Sequence, residues 1–245
     1  MATLFNTVVE APTEADQRPG YSIIIPTLNE SACILGTLSS LQGMRARGHE
    51  VIVVDGGSHD RTLALARPLV DRVCANHPPG RARQMNTGAA LARGEVFIFL
   101  HADTCLPEAA DRWLTQALQP SDKRWGRFDV RLSGEHFMFR VIETLMNLRS
   151  RLTGIATGDQ AIFVHRRLFQ AIGGFPEIEL MEDIALSKCL KRLSPPLCPQ
   201  PRLITSSRRW ERHGVWTMIV RMWLLRLAYW LGVPPARLAR HYAKH

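Results

Sequence analysis

Two apolar segments of the chain each end in an acidic residue. Residues 51–54 run into Asp55, and residues 96–100 run into His101 and Asp103. An unbroken apolar run is typical of a strand buried on both faces of a parallel sheet, and ligands bind at the carboxyl ends of such strands. We therefore expect both carboxylates at one sheet edge, where one can read a sugar or a base and the other can hold a metal ion on phosphates.

The elements that position these acids are predicted strands and helices in alternation. Apolar runs and turn residues predict strands at 21–25, 51–54, 72–74 and 96–100, with helices at 29–42, after Ser58 or Asp60, and at 81–91. Such alternation gives right-handed βαβ units and a mostly parallel sheet flanked by helices, an α/β fold. In the second half the same signals predict helices at 107–118 and 137–152 and strands at 127–132 and 161–164.

Asp55 opens an Asp-Gly-Gly-Ser turn. Glycine permits a sharp turn and a close approach of the backbone to a ligand, and the carboxylate can accept hydrogen bonds from a base or a ribose. The alternative, equally favoured from this turn alone, is that the acid only caps the turn into the next helix. The sequence has neither the G-x-G-x-x-G fingerprint of a Rossmann dinucleotide site nor a P-loop.

Asp103 is the second candidate. A carboxylate at a strand end suits Mg²⁺ or Mn²⁺, which prefer oxygen ligands and bridge diphosphates. His101 lies two residues away and so points to the same side of an extended segment, where an imidazole would favour Mn²⁺ over Mg²⁺. The alternative is that Asp103 only caps a helix that begins near Pro107.

Together these segments resemble glycosyltransferase family 2. The resemblance covers roughly residues 21–212 and rests on four segments in the order and spacing of that family: Ile23–Glu30, Val53–Thr62, Gly80–Gly88 and Phe99–Asp103. It implies a GT-A fold with a Rossmann-like sheet, an inverting glycosyltransferase activity, a nucleotide-diphosphate sugar donor that is UDP-type, and Mn²⁺ or Mg²⁺.

The resemblance also predicts the domain organisation. A flexible leader (1–19) precedes a GT-A catalytic domain (20–212), and a basic, aromatic helical tail (213–245) follows it. The catalytic domain divides into a nucleotide-binding half (20–105) and an acceptor half (106–212).

On the donor side, the resemblance assigns most of the predicted binding residues. Those beside the nucleoside are Pro26, Thr27 and Glu30, with Asp55 on the base. Asp103 matches the last acid of the family's DxD motif, whereas His101 stands where the family has its first acid, so the metal preference stays open.

Arg81 and Arg83 fall where the family approaches the diphosphate. A guanidinium can bind phosphate in bidentate fashion. The alternative for each arginine is a solvated helix face.

On the acceptor side, Glu182-Asp183 resembles the family's Glu-Asp motif, whose Asp takes the proton of the acceptor hydroxyl. Asp183 is thus the predicted base and Glu182 its assistant, although paired acids that open a helix also interact with its dipole. Asp159, followed by Gln160, is the competing base or an acceptor-binding residue.

Arg209-Trp210 resembles the end of the Q-x-x-R-W signature of processive members, but Ser206 occupies the Gln position. Arg209 is predicted to meet the leaving diphosphate and Trp210 to stack on a sugar, or both pack against the tail. The segments at 99–104, 158–160 and 180–183 further resemble a compact bacterial subgroup named for arsenosugar biosynthesis or for association with radical-SAM enzymes.

The basic charge is concentrated near the C-terminus. Residues 202–245 contain nine Lys or Arg against one acid, Glu211, in a chain of net charge +9. This balance predicts phosphate groups or an anionic membrane surface as partners, with nucleic acid disfavoured because no nucleic-acid motif accompanies it. The acceptor is predicted to be a small molecule or a lipid.

The tail contains an apolar stretch, 214–232, with Trp216, Trp223 and Trp230 spaced by seven residues. On a helix these tryptophans form one stripe, which suits a membrane interface or a packing or dimerising face. Arg221 and Arg226 interrupt the stretch and disfavour a spanning helix.

The five widely spaced cysteines favour a reducing compartment and disfavour structural zinc. No secretory signal is recognisable. The predicted location is the cytoplasm, with peripheral attachment at the inner face of the membrane as an option. Two other functions fit the sequence less well, a nucleotidyltransferase on a similar sheet and a non-catalytic nucleotide-binding module at a membrane surface.

Overall fold

The computed structural model describes residues 20–75, 78–119, 121–199 and 201–243. The predicted leader, 1–19, lies outside the described residues. The helices are α1 Ile34–Ala46, α2 Thr62–Ala66, α3 Arg81–Leu91, α4 Ala110–Leu118, α5 Phe137–Thr153, α6 Arg166–Ala171, α7 Glu182–Lys191, α8 Arg208–His213, α9 Val215–Trp230 and α10 Pro235–Ala243. The strands are β1 Tyr21–Thr27, β2 Glu50–Asp55, β3 Arg72–Ala75, β4 Val96–Phe99, β5 Thr104–Cys105, β6 Trp125–Gly126, β7 Asp129–Leu132, β8 Ile162–His165 and β9 Arg202–Thr205.

The main sheet has six strands in the order β3-β2-β1-β4-β8-β6. The first four are parallel, whereas β8 runs antiparallel to β4 and β6 antiparallel to β8. All residues of β2 and β4 are buried, as the unbroken apolar runs predict. The predicted α/β fold with a mostly parallel sheet is confirmed.

A second sheet, β5-β9-β7, was not predicted. Its strand β5 follows Asp103 directly and pairs with β9 through Thr104 and Thr205. The segment after Asp103 is therefore held against β9, and Asp103 does not cap the helix predicted at 107–118. That helix begins at Ala110 instead.

Two buried clusters cover the two faces of the main sheet. On one face, α1 and α5 pack on residues such as Ile23 and Val53, and on the other, α3 and α7 pack on residues such as Ile24 and Phe99. A third cluster joins the start of α7 to the tail through Met181, Ile184, Leu225 and Leu238. The predicted helical tail is thus attached beside the Glu-Asp pair.

Several element bounds differ from the predicted ones. β1 continues through Pro26 to Thr27 because its pairing with β2 extends that far, although its pairing with β4 ends at Ile24. α1 begins at Ile34 rather than at residue 29, since Asn29 adopts a left-handed conformation with φ of 56°. The residue at the N-cap of α2 is Arg61, so neither Ser58 nor Asp60 occupies that position.

Candidate active site

A cleft of about 210 Å³ lies where the chain leaves β1 and β4. The predicted site residues that line it are Pro26, Glu30, Arg81, His101, Asp103, Asp159, Asp183, Arg209 and Trp210. The other predicted site residues do not line it: Thr27, Asp55, Arg83, Gln160 and Glu182. The sheet edge thus brings residues from both halves of the chain to one cavity. Of the two strand-end acids predicted to lie at this edge, Asp103 lines the cavity and Asp55 does not.

Asp183 lies at the start of α7, against the loop that carries Asp159. Its Oδ2 accepts a hydrogen bond of 2.8 Å from the backbone N–H of Gly158, and its Oδ1 accepts one of 2.7 Å from the N–H of Ile184. Met181, the residue before α7, is buried in a left-handed conformation with φ of 69°. Such strain in a non-glycine residue is typical of positions that surrounding structure holds for function.

Burial raises the pKa of Asp183 above its ordinary value, and the charge of Asp159 adds to this, although the two N–H donors and Arg81 act in the opposite direction. Burial and the charge of Asp183 also raise the pKa of Glu182. Glu182 is 3% exposed, and its Oε1 lies 3.6 Å from Nη1 of Arg81. A carboxylate with a raised pKa accepts a proton more readily than an ordinary one, as a catalytic base must.

Both oxygens of the Asp55 carboxylate accept hydrogen bonds from groups of the protein. One oxygen accepts hydrogen bonds from the hydroxyls of Thr27 and Ser58, and the other accepts from the backbone N–H of Gly57 and of Ser58. Burial would raise the pKa of Asp55, but these four hydrogen bonds outweigh it and lower the pKa. Here the turn-capping alternative is present in the structure, and contact of Asp55 and Thr27 with the nucleoside stays a prediction.

Arg83 and Gln160 lie away from the cleft in this structure. Arg83 donates to the carbonyl of Pro78 and has its Nε 3.6 Å from a carboxylate oxygen of Glu177. Gln160 is fully buried, and its side-chain oxygen accepts from the N–H and hydroxyl of Thr157. Gln160 therefore shapes the loop that carries Asp159, and the roles of both residues toward substrate stay predictions.

Arg209 and Trp210 lie on α8 at the cleft wall, where the tail meets them. Arg209 donates a hydrogen bond to the hydroxyl of Tyr242 on α10, and its guanidinium lies 5.4 Å from the centre of the Tyr242 ring. Trp210 packs partly buried on the main core. The alternative of packing against the tail is thus seen for Arg209, whereas Trp210 packs on the main core, and both residues line the cleft.

His101 and Asp103 offer donor atoms for a divalent cation. His101 Nε2 is buried with no hydrogen-bond partner among the described residues. Burial, reinforced by the charges of Arg81 and Arg209, lowers its pKa well below the ordinary value, and the neutral imidazole is the metal-ligating form. The Asp103 carboxylate has one long contact in the described structure, 3.4 Å from the hydroxyl of Thr104.

These two donors fit a divalent metal ion whose remaining ligands come from outside the protein. No group of three or more His, Cys, Asp or Glu side chains within the described ranges is arranged to hold a metal by itself. Mg²⁺ in nucleotide sites uses one or two protein side chains and completes its shell with phosphate oxygens and water. The donor set at this edge satisfies that requirement.

Several cleft residues were not predicted from the sequence, among them three of the tail: Met222, Arg226 and Tyr242. Arg226 carried a signal, since it interrupts the apolar stretch of the tail. Tyr242 and Met222 carried none, because their positions depend on how α9 and α10 fold back on α7.

Comparison with known proteins places this arrangement in context. Residues 22–169 match the family model of Glycosyl transferase family 2. A PGL/p-HBAD biosynthesis glycosyltransferase of Mycobacterium tuberculosis is 34% identical over 167 residues, covering 64% of this chain and 63% of that protein. The chain thus spans slightly less than two thirds of the length of such curated relatives.

Solved structures share the fold. S. aureus TarS 1-349 in complex with UDP-GlcNAc has a TM-score of 0.63 at 19% identity, covering 76% of this chain and 58% of that one. Glucosyl-3-phosphoglycerate synthase of Mycobacterium tuberculosis, in complex with Mn²⁺, UDP and glucosyl-3-phosphoglycerate, has a TM-score of 0.57 at 22% identity, covering 81% and 77%.

Proposed function

Because this chain belongs to glycosyltransferase family 2, we propose that it transfers a sugar from a nucleotide-diphosphate sugar, of UDP type, to a hydroxyl group of an acceptor. The observation that carries the proposal is the single cleft that joins Asp183 to Arg81, His101 and Asp103. UDP or UDP-GlcNAc is bound in two of the similar structures, which supports a uridine nucleotide, while a third, the mannosyltransferase PcManGT, is in complex with GDP-Man. Inversion at the anomeric carbon follows from the family resemblance.

In the proposed reaction, the oxygen of the acceptor hydroxyl attacks the anomeric carbon while Asp183 takes the proton of that hydroxyl. The bond from that carbon to the diphosphate oxygen breaks, and negative charge develops on the diphosphate. Arg81 and Arg209 line the same cleft and stabilise this charge by electrostatics that are strong in a partly dehydrated site. Glu182 holds Arg81 in place.

A divalent metal belongs to the proposal. Asp103 and His101 would hold it together with the diphosphate, and it would supply Lewis-acid neutralisation of phosphate charge. Mn²⁺ and Mg²⁺ both occur with UDP in structures of glucosyl-3-phosphoglycerate synthase.

Binding of nucleotides tests the function. We expect UDP with Mn²⁺ to raise the thermal unfolding midpoint, since a ligand bound only by the folded state stabilises it. Asp103→Asn should weaken the metal-dependent part of the shift, whereas Asp122→Asn, at an exposed position, should not. If no nucleoside diphosphate or nucleotide sugar changes the midpoint with either metal, the proposed function is wrong.

The subgroup named for arsenosugar biosynthesis is a finer placement. The segments at 99–104, 158–160 and 180–183 favour it, and these segments include Asp103, Asp159 and Asp183 of the cleft. This placement stays a prediction, with the acceptor either a small molecule or a lipid.

The proposal includes attachment to an anionic membrane surface. No helix within the described residues is both long and apolar enough to cross a bilayer. However, α9 exposes its tryptophan stripe, with Trp216, Trp223 and Trp230 each more than two thirds exposed. A second apolar stripe runs along α5: Phe137, Val141, Leu145, Leu148 and Leu152.

Exposed apolar surface of this extent marks an interaction site, and interfacial tryptophans with flanking arginines favour a lipid surface. The arginines near α9 include Arg208, Arg212 and Arg237, all exposed. We expect the protein to sediment with phosphatidylglycerol vesicles and less with phosphatidylcholine vesicles. Trp223→Ser should reduce sedimentation, and Trp113→Ser, on α4, should not. A dimer in solution that Trp223→Ser dissociates, without vesicle binding, would assign the surface to a second copy.

A further inference from the structure

Two arginines beside the proposed base carry buried N–H groups without acceptors. Nε and Nη2 of Arg149, on α5, and Nε of Arg226, on α9, are shielded from solvent and have no hydrogen-bond partner in the described part of the chain. A guanidinium stays charged in proteins, and a buried N–H donor without an acceptor is unfavourable. Such groups therefore call for an explanation, of which an absent ligand is one.

The position of the pair points to the acceptor half of the cleft. Arg226 lines the cleft together with Asp159 and Asp183. Burial lowers the pKa of Arg149 to about 10, and the charge of Arg226 acts in the same direction, while Asp159 and Asp183 act against it. The two guanidiniums and the two carboxylates thus lie within electrostatic range of one another.

A different pair of arginines serves the donor. Arg81 and Arg209 are the cations whose charges reach His101, at the edge where the diphosphate is proposed to bind. Each of them also has a partner, Glu182 and Tyr242 respectively. The cleft therefore has one arginine pair on the donor side, and beside Asp159 and Asp183 it has Arg226, whose charge is felt by Arg149 outside the lining. The donor supplies an anion for the first pair alone.

We propose that the acceptor carries an anionic group, a phosphate or a carboxylate, that Arg226 and Arg149 bind. This rests on the proposed glycosyl transfer. The planar guanidinium matches both oxyanions through paired N–H donors. Arg226 contacts the anion from the cleft wall, and Arg149, which lies outside the cleft lining, adds charge and donors. An acceptor held in this way presents its hydroxyl to Asp183 in a fixed orientation, which is how substrate binding accelerates such a step.

The test measures binding of inorganic phosphate with UDP and Mg²⁺ already bound. We expect phosphate to raise the unfolding midpoint of the UDP-saturated wild type further. Arg226→Met should lower the affinity for phosphate at least tenfold and change the affinity for UDP less than about twofold. Arg112→Met, at an exposed position of α4, removes the same charge and should leave both responses unchanged.

Arg149 is tested with two variants, since removal of a buried arginine can prevent folding. Arg149→Met and the more conservative Arg149→Lys should both weaken the phosphate response, because lysine lacks the paired donors. A comparison of glycerol 3-phosphate with short-chain phosphatidic acid then separates a soluble acceptor from a lipid phosphate. Preference for either one supports the shared anion chemistry.

Three results would overturn the proposal. The first is an unchanged phosphate response in Arg226→Met. The second is an equal loss of UDP affinity, which would assign the pair to the donor diphosphate. The third is a lower unfolding midpoint with unchanged phosphate binding in both Arg149→Met and Asp159→Asn, which would indicate an internal pairing of those side chains. Because phosphate can also be titrated without UDP, a failure of UDP to bind would count against the proposed function alone.

Discussion

The carboxylate of Asp183 accepts a hydrogen bond of 2.8 Å from the backbone N–H of Gly158. This contact joins the first turn of α7 to the loop that carries Asp159, across 25 residues of sequence. It also fixes one oxygen of the proposed base, so that the acceptor hydroxyl must approach from the cleft side. The geometry of the base therefore depends on the conformation of a neighbouring loop as well as on α7.

Asp183→Asn should abolish most of the activity. General-base catalysis contributes about 10²- to 10⁴-fold, so we expect a loss of that size in kcat with little change in donor affinity. The single asparagine oxygen can still accept from Gly158, although the N–H of Ile184 loses its side-chain acceptor, so the fold should persist. Glu108→Gln, on an exposed side chain before α4, is the matched control. Near-normal turnover by Asp183→Asn would transfer the role of base to Asp159.

The same substitution should stabilise the protein at neutral pH. The pKa values of Asp183 and Glu182 are raised in the folded state, chiefly by burial, so the folded state binds their protons more tightly than the unfolded state does. Their contribution to the free energy of unfolding is full below the ordinary carboxyl pKa and is lost as pH rises through the raised value.

We therefore expect Asp183→Asn to unfold at a higher temperature than wild type near pH 8, with a smaller difference near pH 4. Thermal unfolding across this range measures it. The acid limb of the kcat profile of the wild type should likewise lie above the ordinary aspartate value of 3.8. An unfolding midpoint of Asp183→Asn below that of wild type at both pH values would contradict burial as the dominant influence on this carboxylate.

Gly158→Ala should disturb the metal side of the cleft. A Cβ at this position would lie 2.5 Å from Nε2 of His101, so the imidazole would have to move. We expect weaker metal-dependent binding of UDP, measured by calorimetry. Gly36→Ala is the control, because Gly36 is exposed on α1 and its Cβ would meet nothing within 4 Å. Unchanged metal dependence in Gly158→Ala would remove His101 from the proposed ligand set.

Arg81→Met should weaken donor binding more than Arg83→Met does. Both arginines lie on α3, but Arg81 lines the cleft and pairs with Glu182, whereas Arg83 lies beside Glu177. Loss of a charge-assisted hydrogen bond to phosphate costs about 1.5–3 kcal/mol, which corresponds to a tenfold or larger rise in the Kd for UDP. An equal or greater loss in Arg83→Met would show that α3 presents its other face to the diphosphate.

The sequence predicted elements well where one signal dominates. The bounds of α3 agree with the predicted 81–91, because Gly80 before it and the extended Ala92 after it interrupt the helix. The sheet β5-β9-β7 was missed because β5 has two residues and its partner lies about 100 residues away. Pairing at such range leaves no local pattern.

The site was predictable in part for the same reason. Asp103, Arg81 and Asp183 belong to motifs with local signatures. Arg149 carries no local signature, since its neighbourhood is set by the approach of α5 to α9. Asp55 shows the opposite limit: its motif is clear, yet its turn already satisfies the carboxylate.

The most direct test of the central claim is the release of nucleoside diphosphate from a panel of nucleotide sugars in the presence of Mn²⁺. We predict slow release of UDP from at least one UDP-sugar, with water as the acceptor, and loss of this release in Asp183→Asn. No release from any nucleotide sugar, or release of pyrophosphate from a nucleoside triphosphate instead, would contradict it.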